Sequence, residues 1–113
     1  MDREDVLAVC QSQPGVTEGY PFGAGVLVFK VAGKVFAILS DSSISLKRDP
    51  GLAEVQRDQY PAVSAGYQLD KRHWNTVDLD NSVPADVLED WIQDSYGLVV
   101  AGLSRKQRAA LIA

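Results

Sequence analysis

Apolar residues follow helical spacing at both ends of this chain and alternate with a period of two through its middle. Near the start, Val6, Leu7, Val9 and Cys10 supply the apolar side of a helix predicted over residues 2–12. Asp2 is placed to cap it, Asp5 stands at the third helical position, and Pro14-Gly15 stops it. Residues 16–47 read as β. Val26–Val31 and Lys34–Ser40 flank Ala32-Gly33, a short hairpin turn with glycine where positive φ is expected. A two-residue loop sets Phe29 opposite Phe36 and Leu27 opposite Ile38 on one side of the sheet. Val28 then faces Ala37, and Val26 faces Leu39, on the other. A second turn at Asp41-Ser42 returns Ile44–Lys47, with Ile44 and Leu46 on the aliphatic side and Lys47 beside Phe36 on the aromatic side. The aliphatic side is the expected seat of the helices, and the aromatic side is expected to stay partly open. A one-residue bulge would exchange these faces.

Asp49-Pro50 opens a short helix, aspartate capping and proline at the first position, with Leu52 and Val55 as its expected buried side. Pro61 ends that region. Val63–Leu69, with Gly66 inside, reads as an irregular strand or loop. Residues 72–79 read as the last strand, with His73, Asn75, Val77 and Leu79 on one face and Arg72, Trp74, Thr76 and Asp78 on the other. Leu88, Trp91, Ile92, Ser95 and Val99 recur at helical spacing in a long helix reaching about Ala101, which is expected to cover the sheet. Gly102 suits its C-terminal cap, and Ser104 to Gln107 matches a capping box for a short final helix. The expected fold is α+β: an antiparallel β-sheet packed by N- and C-terminal helices, in one domain over residues 1–113.

Composition narrows the classes. A chain of 113 residues with 46% hydrophobic content can bury an ordinary core without staples. Cys10 is the sole cysteine, so no internal disulfide forms, and one cysteine with one histidine makes no familiar metal set. The start, Met1–Asp5, is polar and mostly acidic, and no apolar run approaches the roughly 20 residues that span a bilayer. These features point to a cytoplasmic protein without a membrane partner. Gly23-Ala24-Gly25 precedes a strand rather than a helix, so it lacks the context of a nucleotide fingerprint. No nucleophile–base pairing, metal set or cofactor loop is recognisable, and the expectation is a non-enzymatic domain that carries no cofactor.

The net charge of −4 and a pI near 4.8 count against tight, non-specific nucleic-acid binding. The charge is uneven along the chain, however. Lys30, Lys34, Lys47, Arg48, Lys71 and Arg72 fall in the middle, Arg105, Lys106 and Arg108 in the tail, and six carboxylates between Asp78 and Asp94. The densest chemistry is Lys71-Arg72-His73-Trp74-Asn75. Its cations suit an anion, Trp74 offers a stacking face, and Asn75 suits a base edge, with Lys47 contributing if the sheet brings it near. The alternative is structural: Trp74 fills the core, His73 and Asn75 pin backbone groups, and only the cations are wet. Secondary candidates are Lys30, Lys34, Arg48, Tyr67, Arg105, Lys106 and Arg108. The expected partner is DNA, bound weakly or specifically rather than generally. A small anionic or aromatic metabolite held near Lys47 and Trp74, or a protein partner on the open sheet face or the Trp91 helix, are the alternatives.

An ordered series of short motifs carries a resemblance across nearly the whole chain. It runs Pro14-Gly15-Val16-Thr17-Glu18, Pro21-Phe22-Gly23, Leu27–Val31, Gly33–Phe36, Leu46-Lys47 and Asp49-Pro50. It continues through Tyr60-Pro61, Gly66-Tyr67, Lys71–Asn75, Asp94-Ser95-Tyr96 and Val99-Val100. In these residues the chain resembles the MmcQ/YjbR family of small bacterial proteins. The resemblance implies an antiparallel sheet flanked by helices, grouped with the frataxin-like (CyaY-like) α/β sandwiches. It also implies a DNA-binding role, attached to the family because its strands and turns resemble a double wing. It brings no catalytic motif, and the acidic balance of this chain departs from a general DNA binder.

Overall fold

The computed structural model describes residues 1–66 and 69–112. Four helices and six strands follow in the order α1 (Arg3–Gln11), β1 (Val16–Gly19), β2 (Leu27–Val31), β3 (Lys34–Leu39), β4 (Ser43–Lys47), α2 (Pro50–Gln59), β5 (Val63–Ala65), β6 (Trp74–Asp78), α3 (Ala85–Ala101) and α4 (Arg105–Leu111). The strands form one antiparallel sheet in the order β1-β2-β3-β4-β6-β5, so β6 inserts between β4 and the short edge strand β5.

Local signals set the helix ends. Asp2 and Asp5 form a reciprocal capping box on α1, and Ser104 and Gln107 form another on α4. Ala32 and Gly33 both take positive φ (50° and 78°), the geometry of a tight hairpin turn between β2 and β3. At α2 the proline stands in the first turn as expected, but the Asp49 side chain makes no capping hydrogen bond.

The β2–β3 register departs from the two-residue-loop expectation. Pairing runs Val31–Lys34 and Lys30–Val35, then slips at Phe29–Lys30, so that Phe29 faces Ala37, Val28 faces Ile38 and Leu27 faces Leu39. Phe36 is the extra residue of this bulge, and it is fully buried beside Phe29, with ring centroids 6.2 Å apart. The slip puts aromatic and aliphatic residues on the same side. Leu27, Phe29, Phe36, Leu39, Ile44 and Leu46 all enter one core under the helices. The other face keeps Val28, Ile38, Ser45, Thr76, Lys47 and Trp74. Lys47 therefore lies opposite Trp74 rather than beside Phe36. Two inward aromatics compete for one register, and burying both outweighs an unbroken ladder.

Helix α3 covers the sheet as its periodicity predicts, with Leu88, Trp91, Ile92, Ser95 and Val99 all buried. Ser95 ties it to the sheet: its hydroxyl donates to the Phe36 carbonyl at 2.6 Å and accepts from the Lys47 N–H at 2.9 Å. Helix α2 turns the opposite way from expectation. Leu52 and Val55 are exposed, and Ala53 and Gln56 are buried instead. The small Ala53 admits close approach to β6, and the Ala53 carbonyl accepts from Asn75 at 3.1 Å. A buried polar partner on β6 decides the helix's rotation over two exposed aliphatics. Cys10 is wholly buried, and burial pushes its thiol from an ordinary 9.0 up to about 12, which makes it an inert core side chain.

Candidate functional site

Strand register fixes which residues share an end of the sheet. One end holds the β2–β3 turn, the start of β1 opposite Val31, the end of β4 and the start of β6. The other end holds the turn after Leu39 and the end of β6, where Ser43 faces Asp78. Ten of the eleven Lys and Arg residues of the chain gather at the first end. Lys30 and Lys34 flank the hairpin, Lys47 and Arg48 close β4, and Lys71 and Arg72 precede β6. Arg57 reaches the same turn from α2, donating to the Lys71 carbonyl at 3.1 Å. Arg105, Lys106 and Arg108 arrive on α4, whose Leu111 abuts Gly15 just before β1. Only Arg3 lies at the far end, donating to the Ser40 carbonyl at 3.3 Å. That far end collects Asp2, Glu4, Asp5, Asp41, Asp78 and Asp80, together with Asp86, Glu89 and Asp90 from the first half of α3. The chain of net charge −4 is thus polarised along its strands.

The basic end is open to solvent where it matters. Lys71 and Arg72 are exposed, and Lys47, Lys30, His73 and Trp74 are half-buried. Among the described residues Arg48 is the only Lys or Arg with a carboxylate oxygen within 4.0 Å, Asp94 at 2.6 Å. His73 stands 4.0 Å from Asp70, whose other oxygen accepts from the Arg72 N–H at 3.0 Å and shapes the turn. The cations do not meet at one point. They form an arc from β2 to β6, three strand spacings or roughly 14 Å across. Lys47 and Trp74 are cross-strand neighbours on the open face within that arc.

Behind the arc lies a buried polar network. Asn75 is 1% exposed, accepts from Arg57 at 2.8 Å and donates to the Ala53 carbonyl. Its amide nitrogen is 3.0 Å from the Gln56 carboxamide. That carboxamide also has Trp91 Nε1 and Arg48 Nε at 3.1 Å, and its oxygen, turned toward them, accepts from both. Three nitrogen donors therefore converge on a side chain with one acceptor oxygen. Asn75 is spent inside this network and offers no edge to a ligand, which corrects its assignment as a recognition residue. Arg48 likewise serves structure: its side chain bridges Gln56 and Asp94, and its N–H donates to the His73 carbonyl at 2.8 Å.

A family model described as YjbR matches residues 11–98. The chain belongs to the YjbR family. It is 30% identical to the uncharacterised protein YjbR of Escherichia coli K12, with 99% of this chain and 98% of that one covered. It is 35% identical to the uncharacterised protein YbdF of Escherichia coli O157:H7, covering 84% and 81%. A crystal structure of a Deinococcus radiodurans protein, its domain described as DUF419, superposes with a TM-score of 0.90 at 35% identity, covering 97% of this chain and 87% of that one. A Pseudomonas syringae protein shares the fold, with a TM-score of 0.75 at 24% identity over 87% of this chain and 98% of that one. The α+β architecture expected from the motifs is therefore the YjbR-family fold.

In this YjbR-family chain the open face also carries a groove of about 480 Å³ that the sequence did not signal. The metabolite pocket expected near Lys47 and Trp74 is displaced from them. The groove is centred one cross-strand pair further along the same face, on Ser45 and Thr76, and neither Lys47 nor Trp74 lines it. The alternation of β4 and β6 placed Ser45 and Thr76 on this face, but the loop residues that wall it are far away in sequence. Tyr67 lies outside the described residues. Among the described residues no three His, Cys, Asp or Glu side chains gather in a metal-sized cluster, and no helix is long and apolar enough to cross a membrane.

Proposed function

We propose that this chain is a small non-enzymatic, cytoplasmic binding domain that engages the phosphate backbone of nucleic acid through the basic end of its sheet. The observation that carries the reading is the segregation of charge, ten of eleven cations at one end and nine of fifteen carboxylates at the other. Net charge does not describe the field of such a molecule. A polyanion meets the basic end while the acidic end is held away, so approach is oriented. The arc of roughly 14 Å spans about four steps of a nucleic-acid strand at 3.4 Å each. Exposed Lys71 and Arg72 sit at one side of it, Lys30 and Lys34 at the other, and Lys47 in between. Trp74, half-buried beside Lys47, presents a ring to an unstacked base.

Fluorescence anisotropy with labelled duplex and single-stranded oligonucleotides tests this at low salt, followed by salt titration. Binding is expected with a log–log salt slope of about −4, the signature of four to five neutralised phosphates. Lys71→Glu with Arg72→Glu is expected to weaken it at least tenfold. No binding at low salt, or binding indifferent to that double reversal, removes the proposal. A stronger single-strand signal assigns Trp74 a stacking role, and a Trp74→Leu variant that binds single strands equally well withdraws it.

A further inference from the structure

We infer that the groove on the open sheet face is a binding site for an uncharged, ring-sized small molecule with a hydrogen-bonding edge, separate from the phosphate-binding end. Its walls are apolar: Phe22 and Val26 from the loop between β1 and β2, Ile38 from β3, and Leu69 from the segment before β6. Phe22 is 74% exposed, so its ring is free to pack on an occupant of the groove. The floor is a row of hydroxyls. Ser40 and Ser43 bond each other at 2.8 Å, and Ser40 Oγ also accepts from the Ser43 N–H at 3.2 Å, so this pair is occupied in closing its own turn. Ser45 and Thr76 also bond each other at 2.8 Å. Two hydroxyls carry two protons, and their mutual bond uses one. One O–H and spare lone pairs remain to face a ligand.

Charge decides the class of occupant. Among the described residues no charged side chain lines the groove. The nearest charges on the same face are Lys47 and Asp78, of opposite sign, lying one cross-strand pair to either side of Ser45–Thr76. An ion seated over the hydroxyls would lose water and gain no counter-charge, which disfavours both anions and cations. The volume falls in the ordinary range of small-molecule pockets, and the flat floor with apolar walls suits a planar ring.

A matched series tests the inference: indole, the indole-3-acetate anion and the tryptamine cation, titrated into the full ¹⁵N-labelled chain. Saturable amide shifts at Ile38, Ser45 and Thr76 are expected with indole, and at least tenfold weaker binding with either ion. Phe22→Ala, at an exposed position the core does not use, is expected to weaken indole binding at least threefold with the spectrum otherwise retained. Ile38→Trp fills the groove and abolishes the shifts. Lys71→Glu with Arg72→Glu leaves indole binding unchanged, which separates this site from the phosphate-binding proposal. No saturable shifts with indole, shifts centred on the basic end, or equal affinity for the charged analogues would overturn the inference.

Discussion

At the acidic end of the sheet the carboxylates are held by hydrogen bonds that are short in sequence and exposed. Asp2 and Asp5 exchange bonds three residues apart, and Asp80 accepts from both the N–H and the hydroxyl of Ser82. At the basic end the anchoring bonds are long in sequence, and those of Asn75 to α2 and of Ser95 to β3 are buried. Asn75 reaches α2 across 22 residues, Ser95 joins α3 to β3 and β4 across 59 and 48, and Arg48 joins Asp94 across 46. Both ends concentrate like charge, yet only one is braced from within. Local caps hold the carboxylates near their own backbone. The cations, on long side chains, need a rigid turn beneath them, and Asn75 with Arg57, which reaches the Lys71 carbonyl, supplies it. Like-charge crowding is thus held in place at the basic end by hydrogen bonds to buried carboxamides together with the Arg48–Asp94 ion pair.

The largest test of that difference is Asn75→Ala. It removes the acceptor that Arg57 finds on β6 and the side-chain donor to the Ala53 carbonyl, leaves a gap in a buried polar network, and is expected to cost about 3 kcal/mol of unfolding free energy. Chemical denaturation measures it, and a loss below about 1 kcal/mol would mean that the network is ornamental. Gln56→Glu sharpens the same point in the opposite direction. Three donors already converge on that carboxamide, so a carboxylate there is expected to raise stability by about 1 kcal/mol, and a loss would show that burial of the charge outweighs the donors. The smallest effect belongs to the acidic end. Hydrogen bonds from the Asp5 N–H to Asp2, and from Ser82 to Asp80, hold both carboxyls below their ordinary 3.8. Depressed carboxyl values add stability above the unfolded pKa, and it is lost as pH falls through the lower folded values. Acid is therefore expected to release the α1 cap and the Asp80 turn only below about pH 4, where it protonates them. Amide exchange at Asp5 and Ser82, followed against pH, reads this directly, and release near neutral pH would contradict it.

The same contrast explains what the sequence made legible. The capping boxes at Asp2 and Ser104, the Ala32-Gly33 turn and the five buried residues of α3 are local or periodic features, and each was readable from spacing alone. The β2–β3 bulge was not, because it is chosen by competition between Phe29 and Phe36 for one core. The rotation of α2 was hidden for a similar reason. Leu52 and Val55 look like its buried side until Asn75, 22 residues on from Ala53, supplies a donor to the Ala53 carbonyl and Trp91 and Arg48 supply donors to Gln56. In the Lys71–Asn75 run, the cations were rightly placed in solvent, and the alternation of β6 put Trp74 and Asn75 on opposite faces. Which of those faces was buried depended on the bulge two strands away. The gathering of Lys30, Lys34 and the α4 cations at the same end follows from topology, which no local pattern encodes.

Placement of charge, rather than its sum, is the central claim, and one variant isolates it. Lys71→Glu, Arg72→Glu, Asp78→Lys and Glu89→Lys together keep the net charge at −4, since two reversals subtract four charges and two add four. All four positions are exposed. Oligonucleotide anisotropy at low salt, with folding checked by thermal denaturation, compares this variant with the parent. The account predicts at least a tenfold loss of affinity at unchanged net charge. Equal binding by the two proteins would contradict it.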